Sequence, residues 1–461
     1  MKKNTFITLA LLAGLLLSAC AVKEKEKQKE IPLTPETALQ HYLQNGDSTY
    51  TWEIADTLEV EGVAVYNLVL TSQKWREFIW KHQLTIFIPE EIKYDDALLF
   101  ISGGSINKEG EPNFRGGPDD NLTKMVAGIA TTNKAITSII RQTPNQPLYE
   151  GDLVEDQLIS YTLHNYKNDS DMTWPLLFPM VKTAVKAMDA VQEFSKKELN
   201  QKIEKFVVTG ASKRGWTTWL TGASDPRVKA IAPMVIDVLN MPVSLNYQIE
   251  VWKEYSVQIE DYVKLEIPQS VATESGKNIS TMVDPYSYRA KLTLPKLIII
   301  GTNDEYWPVD AIKNYLDSIP GKNYIHYVPN AGHGLDSKNN DQAARALSAF
   351  FGTSIKGEKY PECKWEMTAN DENADLNVKA TSAKLVDALL WSAVSTDRDF
   401  RDEEWTSKSL DAKNKLDIDT KVNYPESGFK AFYMDLKYID TNGNEYTKST
   451  RMFVADSLHI L

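Results

Sequence analysis

Runs of apolar residues with no polar alternation recur along the chain: Ala97–Ile101, Phe206–Val208, Leu297–Ile300 and, with one lysine and one histidine respectively, Val228–Val235 and Tyr324–Val328. Such runs predict strands buried on both faces, as in a parallel sheet. Helical spacing lies between them. Val181, Ala184, Val185, Met188, Val191 and Phe194 recur at intervals of three and four, which predicts a helix over 178–197 with its apolar face in the core. Further helices are predicted around Asn121–Ile129 and Arg214–Gly222, and another strand around Lys134–Ile140. Strands alternating with helices predict a doubly wound, mostly parallel α/β sheet. Upstream, Tyr50–Ile54 and Gly62–Leu70 are expected to pair antiparallel, with Gln83–Ile88 as the next strand.

The alternation breaks between Asn240 and Pro295. This polar, aromatic stretch, with helix-like pieces around Ser244–Tyr262, is expected to be an insertion capping one end of the sheet (240–295). It breaks again after Phe351. Phe432, Met434, Leu436 and Tyr438 alternate with Tyr433, Asp435 and Lys437, a period of two. Asn442-Gly443 is a hairpin turn, with Tyr446–Val454 returning from it. Cys363–Ala380 and Leu389–Val394 are also strand-like. The division expected is an α/β domain over 33–355 and an immunoglobulin-like β-sandwich over 356–461.

The first nineteen residues have a basic start, an apolar run from Phe6 to Leu17 and small residues at Ser18-Ala19, the form of an export signal (1–19). Leu17-Ser18-Ala19-Cys20 resembles a bacterial lipobox, so Cys20 is expected to carry lipid. A charged tether (20–32) follows, with Lys alternating with Glu or Gln from Lys23 to Glu30. Cell-envelope placement follows, with the outer membrane favoured because Ala21 is not a retention residue. Composition narrows the picture further. The 461 residues are 42% apolar and 25% charged, which is ordinary for a globular chain. A net charge of −12 with no basic run longer than two argues against nucleic-acid binding. Two cysteines exclude a disulfide scaffold and a Cys-rich metal site, and no metal or organic cofactor is implied. With Cys20 lipidated, Cys363 is left as the single thiol of the mature fold.

The strand at 205–209 runs into Gly210-Ala211-Ser212-Lys213-Arg214-Gly215 and then a helix. A serine on a tight strand-to-helix turn is the nucleophile-elbow arrangement of α/β-hydrolases. The turn lifts the hydroxyl off the sheet, the helix N-terminus faces developing negative charge, and the Lys213 N–H can donate to an oxyanion. The usual glycine two positions after the serine is Arg214 here, and Gly215 comes one later. Asp304 follows the Leu297–Ile300 strand, and His333 follows the Tyr324–Val328 strand. The order Ser, Asp, His is that of α/β-hydrolases. Glu305 and Asp310 are rival acids, His326 a rival base, and Asp237, which ends the strand after the nucleophile helix, an alternative partner for His333. Gly104 and Ser105 are candidates for a second oxyanion donor. Trp216 and Trp307 are candidates for the pocket lining, and Arg214 for binding an anionic substrate group.

The chain resembles the PhoPQ-activated pathogenicity-related proteins over roughly 35–455. The resemblance rests on Ser72-Gln73-Lys74-Trp75, Trp80-Lys81-His82, Pro144-Asn145-Gln146-Pro147, Glu155-Asp156, Trp174-Pro175-Leu176 and Val208–Trp216. It also rests on Asp225–Ala230, Ile236–Asn240, Asp284–Tyr288 and Pro329–His333. It implies an α/β-hydrolase fold and names no substrate. The function expected is a lipid-anchored serine hydrolase in which Ser212 attacks an ester or amide carbonyl, His333 takes the proton and Asp304 orients it. Its partners are a small-molecule or peptide substrate and the membrane, with the β-sandwich free to bind a protein. The alternative is a binding or signalling lipoprotein on a hydrolase scaffold.

Overall fold

The structure is a computed structural model that describes residues 31–335, 341–381 and 384–461. The expected export signal, Cys20 and most of the expected charged tether lie outside the described residues. Strands β1 (Thr51–Val60), β2 (Val63–Trp75) and β3 (Phe78–Ile88) form an antiparallel meander. Both β1 and β2 outrun their predicted lengths. Most of β1 is exposed and polar, so no alternation marks its far end. Glu61 and Gly62, both at positive φ, make the turn between them.

The meander leads into β4 (Asp96–Ile101), β5 (Thr137–Ile140), β6 (Lys205–Ala211), β7 (Val228–Met234), β8 (Lys296–Gly301) and β9 (Asn323–Val328). Their order in the sheet is β1-β2-β3-β5-β4-β6-β7-β8-β9, with every neighbour from β5 onward parallel. The continuous apolar runs are explained by two cores, one on each face. Leu99, Ile101, Phe206, Val208, Ile298 and Ile300 pack with the helices Leu177–Glu198 and Lys213–Ser224. Their neighbours Leu98, Phe100, Val207, Leu297 and Ile299 pack with the helices Asn121–Asn133 and Gln342–Ile355. Each strand therefore feeds alternate side chains to opposite layers, and at ~25 cal/mol per Å² of apolar area this burial is the main stabilising term.

The stretch between β7 and β8 is helical: Met241–Trp252, Glu260–Lys264 and Glu274–Val283, with short 3₁₀ turns between them. The helix Glu155–Asp169 goes unread in the sequence. Its buried Leu158, Ile159, Leu163 and Tyr166 have helical spacing but are diluted by polar residues, with no side-chain N-cap.

The C-terminal strands are β10 (Cys363–Ala369), β11 (Asn373–Ala380), β12 (Leu385–Ser395), β13 (Thr406–Ser409), β14 (Asp417–Asn423), β15 (Phe429–Ile439), β16 (Glu445–Ser449) and β17 (Phe453–Ala455). The predicted strand Tyr446–Val454 is thus two, β16 and β17. Strands β10-β11-β14 form one antiparallel sheet. Phe432, Met434, Leu436 and Tyr438 of β15 share a core with Leu376, Val378, Ile418 and Val422 of that sheet. The second layer, β16-β15-β12-β13, is joined edge-on to the α/β sheet through a pairing of Ser449 in β16 with Ile325 in β9. Both faces of β15 are consequently buried: Ala431 and Tyr433 belong to the core that contains Tyr327. Cys363 sits here, where burial pushes its thiol up to about 11, far from the reactive range. No described helix is long and apolar enough to cross a membrane.

Candidate active site

Ser212 occupies the single residue between β6 and the helix Lys213–Ser224, at φ +58° and ψ −127°. An L-residue is strained there by about 1–3 kcal/mol, so the surroundings must impose the conformation. The Ser212 N–H donates to the Met234 carbonyl of β7 at 2.9 Å, and its own carbonyl accepts the Trp216 N–H at 2.9 Å. The neighbouring glycines make the approach possible. A Cβ at Gly210 would lie 2.8 Å from the Arg214 carbonyl oxygen, and one at Gly215 would lie 2.7 Å from the Met234 carbonyl oxygen. The glycine displaced to the third position after the serine is thus the one that lets the helix touch β7.

Asp304 and His333 are brought together from two loops. The His333 Nδ1 lies 3.0 and 3.1 Å from the two carboxylate oxygens of Asp304. Asp304 is fixed in turn by the Tyr306 N–H, which donates to it at 2.8 Å. The Tyr306 ring stacks on the imidazole, with centroids 3.9 Å apart and planes 29° apart. The His333 Nε2 is buried and has no hydrogen-bond partner among the described residues. It and Ser212 line the same pocket, together with Trp216, Met241, Leu245, Trp307 and further apolar side chains. The cavity volume is about 50 Å³, room for roughly three to five water molecules.

The rival residues are placed elsewhere. Asp237 is fully buried and accepts from the Tyr315 hydroxyl rather than from His333. Burial, with the Asp304 charge adding to it, pushes its carboxyl up to about 7. Glu305 accepts the His333 backbone N–H at 2.7 Å and so shapes the loop that carries His333. Asp310 accepts from Tyr247 and Lys313. Burial pushes His326 down to about 3, leaving a neutral ring packed in the core. Neither Gly104 nor Ser105 lines the pocket. The Gly104 carbonyl accepts from Gln146, and Ser105 is bonded to Asn113.

Arg214 departs from its expected role. Its Nε donates to the Thr143 carbonyl at 2.6 Å, and its two terminal nitrogens grip Glu155 at 2.7 and 2.6 Å. The guanidinium is a structural brace and is not offered to a substrate anion. Lys213 completes the cluster, 2.9 Å from Glu155 and 3.1 Å from Asp156. Asp156 also accepts from Tyr262 of the insertion at 2.8 Å and lines the pocket. The cluster, invisible in sequence because 57 or more positions separate Glu155 and Asp156 from Lys213 and Arg214, ties the elbow helix to the helix Glu155–Asp169. Burial opposes ionisation of Glu155, but Arg214 and Lys213 outweigh it and hold the carboxyl down at about 2. Its ionised form therefore stabilises the fold above pH ~4.5, and that contribution is lost as pH falls toward 2. Glu155→Gln is expected to cost about 2 kcal/mol, less than a fully buried pair because Glu155 is partly exposed, measured as a drop in the urea midpoint at pH 7 that vanishes near pH 2. An unchanged midpoint would refute the brace.

The strand order, the strained serine after β6 and the paired aspartate and histidine after β8 and β9 fit an α/β-hydrolase fold. The chain belongs to the PhoPQ-activated pathogenicity-related protein family, whose sequence model matches residues 39–401. It is 30% identical over 446 residues to autocrine proliferation repressor protein A of Dictyostelium discoideum, covering 89% of this chain and 88% of that one. Among solved structures it is similar to acetyl xylan esterase 1 of a Thermoanaerobacterium species, at TM-score 0.48 and 15% identity over 70% of this chain and 94% of that one. An acetyl xylan esterase of a Paenibacillus species is similar at TM-score 0.46 and 14% identity, over 65% and 87%.

Proposed function

We propose that this protein is a serine hydrolase that cleaves esters or amides of small apolar acyl groups, anchored in the bacterial cell envelope by lipid on Cys20. The observation that carries the reading is a largely apolar pocket lined by both Ser212, on its strained turn, and His333, paired with Asp304. In the first step Ser212 Oγ bonds to the acyl carbon while His333 Nε2 takes its proton. The leaving alcohol or amine departs with that proton, and water then releases the acid by the reverse sequence. Asp304 keeps the proton on Nδ1, so that Nε2 is free to act as base. The Lys213 N–H, in the unpaired first turn of the helix, donates to the oxyanion.

The small cavity sets the expected specificity. With p-nitrophenyl acetate, butyrate and octanoate, kcat/KM is expected to be highest for acetate or butyrate and roughly tenfold lower for octanoate. A steady rise through octanoate would contradict the pocket assignment.

The second reading is a signalling or binding lipoprotein without turnover. It is favoured by the name of the Dictyostelium relative, a proliferation repressor, and by the absence of a hydrogen bond to His333 Nε2 among the described residues. Catalytic hydrogen bonds are often long before substrate binds, so the second point weighs little. Covalent labelling by a fluorophosphonate separates the two readings.

A further inference from the structure

The segment 396–405, between β12 and β13, belongs to the C-terminal strands, yet it lies against both loops that carry Asp304 and His333. Asn303, the residue before Asp304, directs its Nδ2 at three carbonyls of this segment: Phe400 and Arg401 at 3.2 Å and Glu403 at 2.8 Å. Asn330, three residues before the base, exchanges a reciprocal pair of bonds with the Trp405 backbone: its Nδ2 donates to the Trp405 carbonyl at 3.0 Å, and its Oδ1 accepts the Trp405 N–H at 2.8 Å. The two loops are laced to each other as well. The Asn303 N–H donates to the Ala331 carbonyl at 2.9 Å, and the Asn330 N–H donates to Thr302 Oγ1 at 2.8 Å.

The segment is itself held rigid. Trp405 is buried against Phe400 and Tyr433, and Arg401 is pinned by Asp399. It reaches the insertion too. The Arg398 guanidinium donates to the Tyr247 hydroxyl and pairs with Glu250 at 3.4 Å, while Arg401 stacks over Trp252 at 4.2 Å. All three partners lie on the helix Met241–Trp252, whose Met241 and Leu245 line the pocket.

We infer that the 396–405 strap is a positioning element of the active site, holding the acid and base loops at their working separation through Asn303 and Asn330. The C-terminal strands are then part of the hydrolytic unit and not an independent module. Neither asparagine touches substrate; both act through Asp304 and His333. A displacement of the order of 1 Å between acid, base and nucleophile costs roughly a hundredfold in rate, so loosening the loops should act on the chemical step rather than on binding.

The inference rests on the hydrolase reading, and the test keeps the two apart. The full chain carrying Asn303→Ala is compared with wild type for inactivation by a fluorophosphonate, resolving the maximal rate from the half-saturating concentration. Asn330→Asp is the companion, because aspartate tolerates the left-handed φ of +56° at that position and keeps the acceptor for the Trp405 N–H. Asn377→Ala, on the central strand β11 of the three-stranded sheet, where its Nδ2 donates to Asp419 at 2.6 Å, is the control. The expected result is a fall of about 10- to 100-fold in maximal rate for Asn303→Ala, a smaller fall for Asn330→Asp, half-saturation within about twofold, and no change for Asn377→Ala. Hydrogen exchange read on the same proteins should speed up in 302–306 and 329–334 and stay unchanged in β4 and β6. Wild-type rates in both variants would overturn the inference while leaving the hydrolase reading intact. Absence of labelling in wild type would overturn the hydrolase reading, and unchanged loop exchange would then overturn the strap as well.

Discussion

Asp304→Asn is expected to lower turnover of any ester substrate by about 10⁴-fold, while Asp237→Asn keeps it within about threefold. The asymmetry follows from what each carboxylate touches. Asp304 presents both oxygens to His333 Nδ1. An amide there turns a donor toward that nitrogen, favours the tautomer with the proton on Nε2 and removes the base. Asp237 faces Tyr315 instead, so its loss leaves the imidazole in place. Stability moves in the opposite direction. Burial raises the folded-state pKa of Asp237 to about 7 from 3.8. Between those values the unfolded chain is ionised while the folded one holds a proton, so the group increasingly destabilises the fold as pH rises. Asp237→Asn is therefore expected to melt higher, relative to wild type, at pH 8 than at pH 4. Activity lost in Asp237→Asn and kept in Asp304→Asn would reverse the assignment.

Gly215→Val is expected to cost about 3 kcal/mol or more and to abolish activity in whatever folds. The first added carbon would meet the Met234 carbonyl oxygen at 2.7 Å and Ile236 Cγ2 at 2.8 Å, and then the Gly210 carbonyl oxygen at 3.0 Å. Two of these are backbone atoms of the strands that frame the elbow, so no side-chain rotation relieves the overlap. The helix must back away from β7, and Ser212 then loses its bond to the same Met234 carbonyl. The urea midpoint and the far-ultraviolet circular dichroism report the cost. A variant as stable and active as wild type would show that Gly215 does not seat the elbow.

These two cases show which parts of the molecule were legible in the sequence. The parallel strands were, because a strand covered on both faces has only apolar residues to offer, as at Ala97–Ile101 and Leu297–Ile300. The serine, acid and base were placed at the ends of such strands for the same reason. Strand β1 was legible only at its start, since its exposed residues Glu53 to Thr57 have no face to mark. The choice between Asp304 and Asp237 stayed open because both follow strands. What separates them is a tyrosine 78 residues from Asp237. Arg214 read as a free cation because its partner Glu155 is 59 residues away. The strap over the acid and base loops left no trace, because its accepting groups are backbone carbonyls that any sequence possesses.

The proposed lipid anchor at Cys20 bears on where the reaction would occur. Replacing Cys20 by alanine is expected to move the protein from the membrane to the soluble envelope fraction with its activity intact; a variant still sedimenting with membranes would contradict the anchor. A single chain fatty-acylated at one cysteine gains about 0.8 kcal/mol per buried methylene.

The central claim is that Ser212 is a nucleophile. Intact-protein mass after treatment with a fluorophosphonate, followed by peptide mapping, tests it most directly. The account requires a single adduct on the peptide carrying Gly210–Gly215, absent in Ser212→Ala and slowed in Asp304→Asn. A folded wild-type protein that takes up no adduct, or an adduct that survives in Ser212→Ala, would contradict it.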